Sequence, residues 1–175
     1  VTALTLAARR IGFLVLASIA VATVRAEPVL HDFDHQTPAA LAASHAGKPY
    51  VLALWSVHCE PCRSELELLG EFTAAHPEIA IELVATDFLE DRPAAKAMLA
   101  EFELAGVRTW AFADDFAERI RYAIDPRWRG ELPRLYLFDA DHQPTAISGR
   151  VDPDTLTEWR RGLLRPRTSA PASAE

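Results

Sequence analysis

The stretch from Tyr50 to Phe72 constrains this chain more than any other. Tyr50-Val51-Leu52-Ala53-Leu54-Trp55 is a short run of apolar strand formers without helical spacing, which predicts a buried strand. Beyond it the period changes. Cys62, Leu66 and Leu69 recur at i, i+4 and i+7, and Leu68 with Phe72 widens the stripe, so residues 60–75 predict an amphipathic helix. Pro61 suits the first helical turn, where a missing N–H costs nothing. Between strand and helix lie the only two cysteines of the chain, Cys59 and Cys62. At this spacing they can close a disulfide within one helical turn or grip a soft metal ion. A loop that short removes little chain entropy, so a merely structural disulfide would stabilise little.

The remaining elements follow from the same arithmetic. Residues 27–49 are polar and turn-rich. Ile79, Ile81, Leu83 and Ala85 alternate, predicting a second strand up to Thr86. Residues 93–104 predict a helix opening at Pro93, and Asp115 with Glu118 forms a capping-box-like start to a short helix carrying Ile120. Leu135–Phe138 is a third strand; the turn Asp139–Pro144 returns the chain into a fourth at 145–148. A last helix starts with Asp152 as N-cap and Pro153 at the first position, turning Leu156, Trp159 and Leu163 inward. The order β-α-β-α-α-β-β-α predicts an α/β fold, a central mixed β-sheet flanked by helices.

The chain has 175 residues, enough for one domain. Its formal charge of −7 argues against a binder of nucleic-acid phosphates. At the N-terminus Arg9 and Arg10 precede an uncharged run from Ile11 to Val24, with small residues Val24 and Ala26 flanking Arg25. This matches an export signal over residues 1–26, cut after Ala26 or at Ala20-Val21-Ala22, or else retained as an N-terminal membrane anchor. Losing Arg9, Arg10 and Arg25 would take the charge from −7 to −10. Residues 27–164 are then the folded domain, and the Pro-, Ser- and Ala-rich stretch 165–175 a disordered tail. An extracytoplasmic location, such as the periplasm, is expected.

Cys59 falls at the helix N-terminus, where free N–H groups and the helix dipole favour a thiolate. Cys62 points down the apolar face with Leu66 and Leu69. One thiol is thus placed to attack and the other to resolve. A structural zinc site would want two further ligands at similar spacing, and there is no second cysteine pair. His31 and His35, at i and i+4 in a stretch without helical pattern, lack the fixed scaffold a metal pair needs. Glu65, one helical turn from Cys62, could take the buried thiol's proton or simply be solvated.

Trp55-Ser56-Val57-His58-Cys59-Glu60-Pro61-Cys62-Arg63 resembles the active site of thioredoxin-fold proteins, and more closely that of the exported TlpA/ResA-like thiol-disulfide oxidoreductases. The likeness runs from about Gly47 to Leu164. It takes in Gly47-Lys48-Pro49, the acidic residue Glu65 of a C-x-x-C-x-x-E pattern, and Leu132-Pro133 at the position of the family's cis-proline. The resemblance implies a thioredoxin-like fold in which the helix at 93–104 is an insertion relative to plain thioredoxin. It also implies catalysis by Cys59, Cys62 and Glu65, and a substrate-binding surface at Pro133, Leu132 and Trp55, with Trp55 packed beneath the loop. Further implied are exported protein disulfides as substrates (apocytochrome c or copper-site proteins), a membrane-borne dithiol electron donor, and no cofactor or resident metal. Three departures stand out: Ala53 occupies thioredoxin's buried Asp position, Leu132 replaces a frequent Thr, and His58 directly precedes the first cysteine.

Two other functions use the same residues. A thiol peroxidase would want a T-x-x-C context, which His58-Cys59 does not provide. A copper chaperone would hold Cu(I) through Cys59 and Cys62, with a histidine as a further ligand. His58, if protonated, would favour a Cys59 thiolate and a more oxidising couple.

Overall fold

All six side chains of the apolar run at 50–55 are buried, because helices cover both faces of the sheet to which it belongs. The computed structural model describes residues 27–113 and 116–164. The expected export signal (1–26), the expected tail (165–175) and Asp115 of the expected capping box lie outside the described residues. In chain order the elements are β1 (Leu30–Phe33), α1 (Thr37–Ser44), β2 (Tyr50–Trp55), α2 (Glu60–Ala75), β3 (Ala80–Ala85), α3 (Arg92–Glu101), β4 (Arg108–Phe112), α4 (Ala117–Ile124), β5 (Arg134–Phe138), β6 (Pro144–Ser148) and α5 (Pro153–Leu164). No described helix is long and apolar enough to cross a membrane.

The strands form one sheet in the order β1-β4-β3-β2-β5-β6. Neighbours from β1 to β2 are parallel, joined through helices, whereas β5 and β6 run antiparallel, as the short turn between them requires. That turn is held by Asp139, whose Oδ1 accepts the N–H of Asp141 and of Gln143. Alternation in β2 divides the core in two. Val51, Ala53 and Trp55 pack with Cys62, Leu66 and Leu69 of α2, Leu99 of α3 and Leu156 of α5. On the other face Tyr50, Leu52 and Leu54 meet Leu41 of α1, Ile120 of α4 and Tyr136 of β5. Asp152 caps α5 as expected, its Oδ1 accepting the Asp154 N–H at 2.9 Å.

Three elements depart from the sequence expectation. β1 and α1 lie within the stretch read as turn-rich, and β4 follows the inserted helix. β1 is an edge strand of four residues, two of them polar, so it presents no alternation. α1 is rich in alanine and buries only Leu41, leaving no apolar stripe to detect. Glu82 of β3, on the face the period would give to solvent, is 1% exposed. Its carboxylate is satisfied by the His45 ring at 2.8 Å, the Trp110 indole N–H at 2.7 Å and the Arg108 guanidinium at 3.2 Å, as a buried charge requires.

Leu69 is fully buried between α2 and the sheet. Leu69→Ala should lower unfolding free energy by about 2–5 kcal/mol in urea denaturation, the usual cost of a leucine-sized cavity. A loss under about 1 kcal/mol would mean that this core face is looser than described.

Candidate active site

β2 delivers the chain to a tight turn at the C-terminal end of the parallel strands. Cys59 is the N-cap of α2, extended at φ −100° and ψ 99°, and Pro61 stands within the first turn. The Cys59 N–H donates to the Ser56 carbonyl at 3.2 Å, and the Cys62 N–H to the Cys59 carbonyl at 3.0 Å. Cys59 and Cys62 are joined as a disulfide, S–S 2.08 Å, with Cα atoms 5.3 Å apart. Cys62 is wholly buried and Cys59 partly exposed. The accessible sulfur therefore sits at the helix head and the protected one on the core face, as the spacing predicts.

Glu65 is 3% exposed, so the solvated alternative does not describe it. Its Oε2 accepts the Val151 N–H at 3.1 Å, while Oε1 meets no hydrogen-bond donor among the described residues. Burial pushes its carboxyl above the usual range, opposed by the Val151 hydrogen bond and the Arg150 charge. A carboxyl held this way, one turn from Cys62, is suited to keeping a proton near the buried sulfur.

The Leu132–Pro133 peptide bond is cis. Antiparallel pairing of Leu54 with Arg134 brings this dipeptide alongside the end of β2, at the same edge of the sheet as the disulfide. Leu132 is half-buried, Pro133 buried, and the Pro133 carbonyl accepts the Gly149 N–H at 2.9 Å. The preceding loop is tied down by Trp128, whose indole N–H donates to the Glu131 carbonyl at 2.9 Å. Trp55, at 1% exposure, underlies the turn within the core and offers a peptide no direct surface. An open groove of about 450 Å³ flanks Glu60 and Pro61, bounded by Arg63, Phe102 and Arg150. Arg63 pairs with Glu101 and lies over the Phe102 ring at 5.3 Å, so the inserted segment leans on the head of α2.

Asp87, which sequence reasoning missed, is buried beside the turn and bonded to Ser56 and Val57. The signal was the register: parallel pairing of Trp55 with Ala85 sets residue 87 opposite residue 57. His58 is largely exposed, its Nε2 lying 3.2 Å from Asp91. His58, Asp87 and Asp91 offer one ligand atom each within 4.8 Å of one another, but Asp87 is already engaged by the turn. His31 packs against the Trp110 ring, away from any such group.

A disulfide-closed turn between a central parallel strand and its helix, beside a cis-proline, defines a thioredoxin-like fold. No protein-family profile matches the chain. Over 97 residues it is 28% identical to the thiol-disulfide oxidoreductase ResA of Bacillus cereus, covering 54% of this chain and 51% of that one. The chain therefore spans about half the length of this curated relative. Among solved structures it is similar to a secreted disulfide oxidoreductase of Mycobacterium tuberculosis homologous to Escherichia coli DsbE, with TM-score 0.57 and 24% identity over 69% of this chain and 86% of that one. A thioredoxin-family thiol:disulfide interchange protein of Chlorobium tepidum gives TM-score 0.58 and 20% identity over 71% and 85%. These likenesses bear out the thioredoxin-like fold and the resemblance to TlpA/ResA-like proteins.

A carboxyl whose pKa is higher folded than unfolded favours folding at pH below its unfolded value of 4.5, and that contribution is lost as pH rises through the folded value. Glu65→Gln should therefore be more stable than the wild type at neutral pH, with the gap shrinking towards pH 4. Urea denaturation at pH 4 and 7.5 checks this; an equal gap at both would contradict it.

Proposed function

We propose that this protein is an exported thiol-disulfide oxidoreductase that reduces disulfides of exported proteins through Cys59-Glu60-Pro61-Cys62. The observation that carries the reading is the asymmetric disulfide, one cysteine partly exposed at a helix N-terminus and the other wholly buried, one helical turn before the buried Glu65. In the dithiol form the Cys59 thiolate attacks a substrate disulfide. One S–S bond forms as another breaks, and the departing substrate sulfur takes up a proton. Cys62 then yields its proton to Glu65 and attacks the Cys59 sulfur. The second substrate sulfur leaves as a thiolate and takes up a proton from solvent, so the substrate has gained two electrons and Cys59–Cys62 is oxidised.

An external dithiol must reset the couple, and a membrane-borne dithiol protein is the donor this reading calls for. The N-terminal pattern at 1–26 supports export, with the segment either cleaved or retained as an anchor. Half-buried Leu132, before the cis-proline at the same end of the strands as the disulfide, and the groove beside Pro61 and Phe102 are the places where an extended peptide would be met. Apocytochrome c and copper-site proteins are the substrates suggested by the family resemblance. The exchange chemistry itself requires no cofactor.

Cys62→Ser leaves the attacking thiol without its resolving partner. It should accumulate a mixed disulfide with a disulfide-bonded exported protein, visible on non-reducing gels, whereas Cys59→Ser should form none. Absence of any adduct from Cys62→Ser, together with stoichiometric Cu(I) retention by the wild type, would favour the copper-chaperone reading.

A further inference from the structure

The exchange chemistry uses Glu65 and leaves Asp87, the buried carboxylate bonded to the turn before Cys59, without a role. Asp87 Oδ1 accepts the Ser56 hydroxyl at 2.5 Å and the Val57 N–H at 3.1 Å, and Oδ2 lies 3.2 Å from the same N–H. The His58 N–H donates to Ser56 Oγ at 3.0 Å. The Ser56 hydroxyl proton is thereby committed to Asp87, and the chain of bonds runs one way, from His58 N–H through Ser56 to the carboxylate. The Ser56 carbonyl in turn accepts the N–H of Cys59. One carboxylate thus holds all three residues that lead into the accessible cysteine.

We propose that Asp87 is a positioning residue for Cys59: it shapes the 56–59 turn, and its negative charge disfavours the Cys59 thiolate and draws the couple towards the reducing side. The assignment rests on the oxidoreductase reading and adds to it what sets the reactivity of the attacking thiol. A buried anion acts on neighbours through a weakly screening medium, and a nearby negative charge raises a thiol's pKa. Destabilising the thiolate destabilises the dithiol state, the reverse of what makes a strong oxidant. The charged groups facing Asp87 are Asp91, which adds to the negative field, and His58, which opposes it. Burial and Asp91 raise Asp87's own carboxyl, while the Ser56 and Val57 hydrogen bonds and His58 lower it.

The test reads the thiol directly. In the reduced full chain, the rate of Cys59 alkylation by iodoacetamide is followed against pH by mass spectrometry. Asp87→Asn, which keeps an oxygen for Ser56 and Val57 but removes the charge, should lower the thiol pKa by up to about one unit, so that alkylation near pH 6 is up to tenfold faster. Asp87→Glu should restore wild-type acidity. Ser56→Ala keeps the charge but breaks the bond chain; its thiol should titrate as in the wild type while exchange with a small disulfide slows several-fold. Wild-type acidity in a natively folded Asp87→Asn, or a wild-type exchange rate in Ser56→Ala, overturns the assignment. Alkylation needs no protein substrate, so it stands apart from the mixed-disulfide trap. A trap that fails beside a shifted thiol sinks the oxidoreductase reading and leaves the Asp87 effect in place.

Discussion

Everything at this site depends on how β2 ends. The strand lies in the middle of the sheet with both faces packed, so its direction and height are set by β3 on one side and β5 on the other. At Trp55 it passes from the sheet into a four-residue turn, and Cys59 becomes the first capping position of α2. The same step that satisfies the sheet therefore brings one sulfur to the helix head, where unpaired N–H groups favour an anion. It also drives the other sulfur into the core with Leu66 and Leu69. The asymmetry between the two cysteines is a product of the fold rather than of local chemistry.

Two buried carboxylates near this turn have different partners. Glu65 comes from α2 itself, accepts the Val151 backbone, and has one oxygen without a donor among the described residues. Burial holds its carboxyl above the usual range. Asp87 comes from the end of β3, and its oxygens are occupied by the turn that presents Cys59. Ala53 leaves β2 without an acid of its own. His58 stands outside this arrangement, exposed and paired with Asp91.

Much of this was legible beforehand, for identifiable reasons. The change from a strand run to a 3.6-residue period at Glu60 located the junction, and the cysteine spacing marked its chemistry. Glu65 was visible as a residue one turn from Cys62, although its burial depended on Val151, contributed 86 residues later. Asp87 was not visible, because its importance comes from the parallel register of β2 and β3 and no local pattern encodes that. β1 and β4 escaped because short strands, each with charged and polar members, show no period. Glu82 reads as a solvent-facing residue of an alternating strand. It is buried because helices cover both sides of the sheet, a tertiary fact. Trp55 is buried beneath the turn, as its place at the end of an apolar strand run implies.

On the proposed function, Cys59–Cys62 is a reversible two-electron couple whose potential favours reduction of substrate disulfides. Equilibrating the full chain in a graded series of dithiol–disulfide buffers, followed by thiol trapping, measures it directly. A single transition between disulfide and dithiol is expected, with a midpoint towards the thioredoxin end of the scale, ~−270 mV. A midpoint near the strongly oxidising value of ~−120 mV would contradict the direction of electron flow. Failure to form the intramolecular disulfide at any ratio would contradict the account itself.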